Sequence, residues 1–372
     1  MKRVMMVGSA EQSGGGVSSV IRLIRKMPVW EKYSCYWLGT QIQRNYLWKF
    51  WYALKANFTA LFIIWRYDIV HIHTVPDKPG LTIQLPVMLL ALLLRKRIIV
   101  HIHMGNQLKD HTANGFFRWY LEKADRVVIL AECFRDIIVE GYGIDSDKIA
   151  VVYNATDGSN RCDDNSLAGG NESVRREKTI IMAGYFDENK APDVLMRSLT
   201  LSLPSREGTE QYPADAFHGW KVILMGNGNV DKYRDICHEL GLDNIVSFPG
   251  YVTGAQKENI WRTASILCLC SHVEGFPMVV LEAWNYGIPV ISTPVGGLPD
   301  VIEEGRNCLT FGFDDIDGLS RQLTRLMADE RLRQEMGEYG SKFVREHFSI
   351  DTVNRQLDEL YGALNRPLHS PS

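Results

Sequence analysis

Two carboxylates, Glu274 and Glu282, bracket the start of an apolar run that directly follows a short strand-like segment. Pro277 suits the first turn of a helix, Gly287 the position just past its end, and Pro289 the start of the next strand. The pattern predicts Glu274 just before a helix and Glu282 about two turns inside it. At 1.5 Å of rise per residue the two lie about 12 Å apart along the axis, a span comparable to that from a hexose ring to the ribose of a nucleotide sugar. Between them lies the backbone of Gly275, Phe276, Pro277 and Met278, where a helix start attracts phosphate. Sugar, diphosphate and ribose would each find a partner. Taken in isolation, the same glutamates would read better as a helix cap and a solvent-facing side chain.

Other side chains invite the same weighing. On a strand, alternate residues share a face, so the pairs His71/His73 and His101/His103 could gather four imidazoles on adjacent strands. No acidic or thiol ligand nearby completes a familiar metal site, so satisfied structural histidines are the favoured reading for most of them. Gly14, Gly15 and Gly16 follow the first strand and form either a flexible turn or a place where bare backbone approaches a ligand closely. They do not make a close G-x-G-x-x-G match, and no acid ends the second strand, which disfavours a nicotinamide enzyme. Asp315 and Asp317 sit at a helix start and read as a cap. No acidic pair stands at a strand end, so no divalent metal and no other cofactor is expected.

The elements that must position these groups are legible as alternation. Short Val- and Ile-rich runs at 3–7, 68–73, 97–103, 126–131 and 149–153 alternate with helix-length amphipathic segments, and a second series follows at 179–184, 220–225, 245–248, 265–270 and 289–292. This is the signature of parallel βαβ construction, here two doubly wound α/β domains. The expected division is 1–156, a polar linker at 157–178, and 179–350, with a terminal helix at 351–364 that packs back on the first domain. A polar insertion at 204–219 reads as a surface loop.

The chain has 372 residues, enough for two cores. Its seven cysteines contain no C-x-x-C pair, which favours a reducing, cytoplasmic compartment. No export signal is read at the N-terminus. The apolar stretches 46–65 and 85–94 are respectively interrupted by lysines and too short to cross a bilayer. Residues 1–155 carry 20 Lys/Arg against 12 Asp/Glu, and the remainder 21 against 32. The basic front half fits either a solvated face or an anionic partner surface. Trp48, Trp51 and Trp65 are expected to pack in the first core, with contact to an anionic membrane as the alternative. Nucleic acid is not expected as a partner.

The run EGFPMVVLEAWNYGIPVISTPVGGLPDVI resembles the C-terminal signature of glycosyltransferase family 4, a retaining family with the GT-B fold. The rest of the chain is similar to it in order: Ser13 to Val17 looks like its glycine loop, the segments ending at His73 and His103 like its strand ends, and the segment from Leu224 through Gly226 to Gly228 like a second-domain turn. The resemblance implies transfer of a hexose-type sugar from a nucleotide diphosphate sugar to a glycan or lipid-linked acceptor in surface polysaccharide synthesis, at the cytoplasmic face of the membrane. It implies that His103, Glu274 and Lys190 serve catalysis, and that Gly15, Gly16, Gly184, Tyr185, Gly226, Gly275 to Met278 and Glu282 hold the donor. The family commonly has an arginine where Tyr185 stands and a glycine where Ala191 stands; Lys190 fits. The donor would rest mainly on residues 178–350 and the acceptor on 1–156. Rival readings are a nucleotide-sugar epimerase or phosphorylase, and a sugar-nucleotide-binding subunit without activity.

Overall fold

A computed structural model describes residues 2–13, 15–42, 46–158, 176–202 and 218–364. Gly14, most of the linker, most of the 204–219 insertion and the stub after 364 lie outside the described residues. The chain divides into two compact units, Met1–Asp157 with Phe348–Ser372, and Gly158–His347.

The first unit holds six parallel strands: β1 (Val4–Ser9), β2 (Tyr36–Gln41), β3 (Ile69–Thr74), β4 (Arg97–Ile102), β5 (Arg126–Ile129) and β6 (Ile149–Val151), ordered β2-β1-β3-β4-β5-β6. Its helices are α1 (Gly16–Ile24), α2 (Pro28–Lys32), α3 (Tyr46–Ile63), α4 (Lys78–Leu93) and α5 (Gly115–Lys123). β1 and β3 are almost wholly buried, as strands covered on both faces must be; β1 opens with four apolar residues, whereas β3 buries His71, His73 and Thr74 beside its apolar ones.

The second unit repeats the plan with β7 (Thr179–Ala183), β8 (Lys221–Met225), β9 (Val246–Gly250), β10 (Ile266–Leu269), β11 (Val290–Ser292) and β12 (Cys308–Thr310), ordered β12-β11-β10-β7-β8-β9. Its helices are α6 (Pro192–Ser202), α7 (Val230–Glu239), α8 (Gly254–Thr263), α9 (Met278–Asn285), α10 (Ile316–Ala328) and α11 (Glu330–His347). Asp315 caps α10, accepting from the Gly318 amide at 2.8 Å. All ten strands expected from the apolar runs are present. β2 and β12 are additional edge strands; β2 mixes Gly39, Thr40 and Gln41 with its apolar residues, and β12 has three residues.

The terminal helix α12 (Ile350–Ala363) belongs to the first unit. Ser349 caps it. Asn354 Oδ1 accepts from the Val29 amide at 2.8 Å, Asp358 accepts from Lys32 at 2.6 Å and from the Tyr33 hydroxyl at 2.9 Å. Burial and the Asp358 contact push the Tyr33 hydroxyl up to about 12.

One expectation fails here. Trp48, Trp51 and Trp65 are exposed, as are Phe50, Phe58 and Phe62 beside them. α3 instead packs through its small side: Ala56 and Ala60 are buried, and Asn57 Nδ2 donates to Ala53 O and across to Ile83 O in α4. A helix apolar on every side does not announce which stripe the sheet will take. No helix among the described residues is long and apolar enough to cross a membrane.

Candidate active site

In the second unit β7 and β10 are neighbours, and the chain winds away from them in opposite directions. Loops leaving the carboxyl ends of two such strands part and leave a crevice, the usual ligand position in an open parallel sheet. The loop after β7 carries Gly184 to Ala191, and the loop after β10 carries Ser271 to Pro277. Lys190 and Glu274 are thereby brought together from 84 residues apart. Lys190 Nζ donates to Glu274 Oε1, with the two side chains only 17% and 16% exposed.

The surrounding backbone holds that pair in place. The His272 amide donates to Asn189 O at 2.9 Å, and Asn189 Nδ2 donates to Val273 O at 3.1 Å. Asp187 Oδ1 accepts from the Lys190 amide at 3.0 Å, closing the turn that points the lysine inward. A side chain at Gly184 would stand 3.1 Å from Lys190 Cε, so the missing Cβ leaves room for the lysine stem. Gly226 crosses the same loop: a Cβ there would lie 1.7 Å from Gly184 O. Ala191 has φ +45°, the left-handed region in which glycine is comfortable. Tyr185 points outward and is exposed.

α9 begins at Met278 with Pro277 as its N-cap, and among the described residues no side chain caps it. The predicted geometry needs correcting. Pro277 precedes the first turn (φ −71°, ψ 108°), so Glu274 lies in the loop and Glu282 one turn inside the helix. Helical rise therefore covers only part of their separation. Glu274 is not a cap, and Glu282 does not merely face water. Its Oε2 accepts from Lys257 Nζ of α8 at 2.9 Å. Phe276 is buried under the loop. Gly287 ends the helix at φ +63°.

Two site residues escaped sequence reasoning. Lys257 lies 25 residues from its carboxylate, and only tertiary structure pairs them. Gly296, in the turn after β11, has φ +62°, and a Cβ there would lie 2.5 Å from Gly275 O and 2.8 Å from Glu274 O. The neighbouring Gly297 amide donates to Gly275 O at 2.9 Å. This turn presses the Glu274 loop into shape.

In the first unit Gly15 is the N-cap of α1, and among the described residues no side chain caps that helix and a Cβ on Gly16 would meet nothing within 4 Å. β3 and β4 pair in parallel with His73 opposite His101. The four histidines form a stack: ring centroids are 4.4 Å apart for His71/His73, 4.9 Å for His73/His101 and 4.4 Å for His101/His103. His73 Nδ1 and His103 Nε2 share a hydrogen bond of 2.8 Å, and His71 Nδ1 shares one of 2.8 Å with the Tyr361 hydroxyl of α12. Satisfied histidines were expected, but among the described residues His101 has no hydrogen-bond partner at either nitrogen, and His71 and His73 each lack one at Nε2. Burial lowers all four: His71 and His103 to about 3, His73 and His101 well below 6.5. His71, His73 and His101 bring ring nitrogens within 4.8 Å of one another. Their planes are nearly parallel, at 12° to 34°, so the in-plane lone pairs do not aim at one centre. As placed, they stack rather than chelate.

Comparison with known proteins follows the two units. Residues 166–343 match the family model for glycosyl transferases group 1, and residues 32–159 match that for glycosyltransferase family 4. An uncharacterised glycosyltransferase of Methanocaldococcus jannaschii is 24% identical over 246 residues, covering 63% of this chain and 59% of that protein. A D-inositol 3-phosphate glycosyltransferase of Corynebacterium kroppenstedtii is 27% identical over 254 residues, covering 65% and 54%. The chain thus matches little more than half the length of these curated relatives. Among solved structures, the Anabaena HepE protein in complex with UDP-glucose superposes with a TM-score of 0.73 at 16% identity, covering 98% of this chain and 100% of that one.

Proposed function

We propose that this chain, which belongs to the family 4 glycosyltransferases with their GT-B fold, transfers a hexose-type sugar from a nucleotide diphosphate sugar to a glycan or lipid-linked acceptor, with retention and without a divalent metal. The observation that carries this reading is the Lys190–Glu274 pair at the β7/β10 crevice, beside a helix start with no side-chain cap. A diphosphate needs positive charge and free amides; a sugar ring needs a carboxylate acceptor for its hydroxyls.

In the resting enzyme Glu274 neutralises Lys190. An incoming diphosphate carries more charge than one carboxylate and draws the ammonium to itself. Glu274 is then released to hold the sugar. As the bond from sugar to phosphate breaks, negative charge grows on the leaving phosphate, and Lys190 with the α9 amides stabilises it more in the transition state than in the ground state. Glu282 holds the ribose, with Lys257 fixing its carboxylate. His103 of the first unit is neutral, because its burial disfavours the cation, and serves as a hydrogen-bonding group rather than a charged one. No residue is assigned as a covalent nucleophile.

HepE was solved with UDP-glucose, which supports a nucleotide sugar as donor here. Peripheral association with an anionic membrane, where a lipid-linked acceptor is presented, is part of the same reading. A thermal-shift screen of nucleoside diphosphates and their sugars tests it, because a ligand bound only by the native state raises Tm by linkage. One class of donor should raise Tm in a saturable way; no response to any would contradict the proposal.

A further inference from the structure

We infer that the outward face of α3, continued by Trp65 and by the end of α4, is a docking surface that lies in the plane of an anionic lipid bilayer. Leu47, Trp51, Leu54, Phe58, Leu61 and Trp65 are all exposed. They recur at intervals of four, three, four, three and four residues, which places them on one stripe of the helix. Phe50 and Phe62 widen that stripe, and Leu89, Leu93 and Leu94 of the α4 end are exposed as well. The ordinary amphipathic order is inverted, since the opposite side of α3 packs through Ala56 and Ala60. Five aromatics, each more than half exposed, offer on the order of 600 Å² of apolar surface, at the upper end of what a soluble monomer shows.

Charge decides what covers it. Across residues 32–67 and 78–109 there are ten Lys/Arg and no Asp/Glu. Lys49, Lys55, Arg66 and Arg95 are exposed in or beside the apolar stripe. A second copy of this chain would bring like charges together, whereas anionic headgroups complement them. Tryptophans flanked by lysine and arginine are what an interfacial helix uses to sit between acyl chains and headgroups. At 18 residues and about 27 Å, with two lysines within it, α3 suits lying along the surface rather than crossing. The inference deepens the lipid-linked acceptor reading but rests on exposed side chains of α3, Trp65 and the α4 end, apart from the Lys190–Glu274 pair, so vesicle binding and nucleotide binding fail independently.

The test is flotation with vesicles of phosphatidylcholine, with and without phosphatidylglycerol, across a salt series. The wild-type chain should float with the anionic vesicles at low salt and lose binding as salt rises. Phe58→Glu with Leu61→Glu should cut partitioning at least about tenfold, with melting and nucleotide-induced shifts unchanged because both side chains face outward. Should that variant misfold, brominated-chain lipids supply the second readout: they should quench part of the tryptophan emission, and Trp51→Phe with Trp65→Phe should remove most of that quenching. Absence of flotation at low salt, or equal flotation of the glutamate variant, overturns the inference. So does a solution dimer that the glutamate variant dissociates.

Discussion

Lys190 and Glu274 meet at the carboxyl ends of β7 and β10, joined by a charge-assisted hydrogen bond in a site that is more than four-fifths enclosed. Each loop alone is unremarkable; the parting of the two strands makes the crevice, and the pair fills it. Removing one partner of such a pair leaves the other buried and uncompensated, which costs about 3–5 kcal/mol.

Stability and catalysis must therefore be separated. Lys190→Ala is expected to lower both, with kcat falling by about 10²–10³ at saturating donor. Lys190→Met combined with Glu274→Gln replaces both charges, so its melting temperature should recover toward wild type while turnover stays low. Full activity in the double variant would remove both residues from the chemistry.

Tyr185→Arg is expected to supply a second cation and partly rescue Lys190→Ala in turnover. Tyr185 is exposed beside Gly184, so the larger cation can be accommodated without repacking a core. Kinetics of the single and double variants give the coupling energy; strict additivity would show that the arginine does not reach the phosphate.

Glu282→Ala should raise donor KM with a smaller effect on kcat, because it removes binding shared by ground and transition states. Lys257→Ala should do the same more weakly. Its side chain is 41% exposed, and an exposed ion pair is worth at most about 1 kcal/mol. A kcat collapse in either variant would mean these side chains touch the reacting centre.

Ala191 sets three terms against one another. Its left-handed backbone, φ +45°, costs an alanine about 1–2 kcal/mol. Replacing it by glycine relieves that but loses about 0.5–1 kcal/mol to chain entropy and about 0.8 kcal/mol from a buried methyl. Ala191→Gly should lie within about 1 kcal/mol of wild type by denaturant unfolding, whereas Ala191→Val, β-branched at positive φ, should be clearly destabilised. This near-cancellation explains how alanine is accommodated at this turn.

The histidine stack makes a prediction about acid. All four pKa values are lower in the folded chain than the ordinary 6.5, so the unfolded chain binds more protons at lower pH. Their contribution is fully present above about 6.5 and is lost as pH falls toward 3, at up to about 1.4 kcal/mol per pH unit for each histidine. Melting temperature should fall steeply from pH 6.5 downward. His101→Leu should flatten that fall at little cost at neutral pH, because neither ring nitrogen of His101 has a partner to lose among the described residues. An unchanged acid profile in His101→Leu would contradict this account.

How much of this was legible in the sequence follows from what carries each feature. Buried parallel strands announce themselves as Val/Ile runs, so ten were readable; edge strands such as β2, with Gly39 and Gln41, were not. The end of α9 was readable from Gly287, but its start was placed one turn too early, because a proline fits both N-cap and first turn. Lys257 and Gly296 had no local signal, since their contacts exist only once separate loops meet. The exposed aromatics of α3 were misjudged for the same reason: composition marks a side chain as apolar without saying which elements will cover it.

The most direct test of the central claim is calorimetric titration of uridine, guanosine and adenosine diphosphates into the wild-type chain and into Lys190→Met/Glu274→Gln, which keeps the crevice but removes its cation. The account predicts saturable binding of at least one diphosphate to the wild type, weakened about tenfold or more in the variant. Equal affinity in both proteins, or no binding to the wild type, would contradict it.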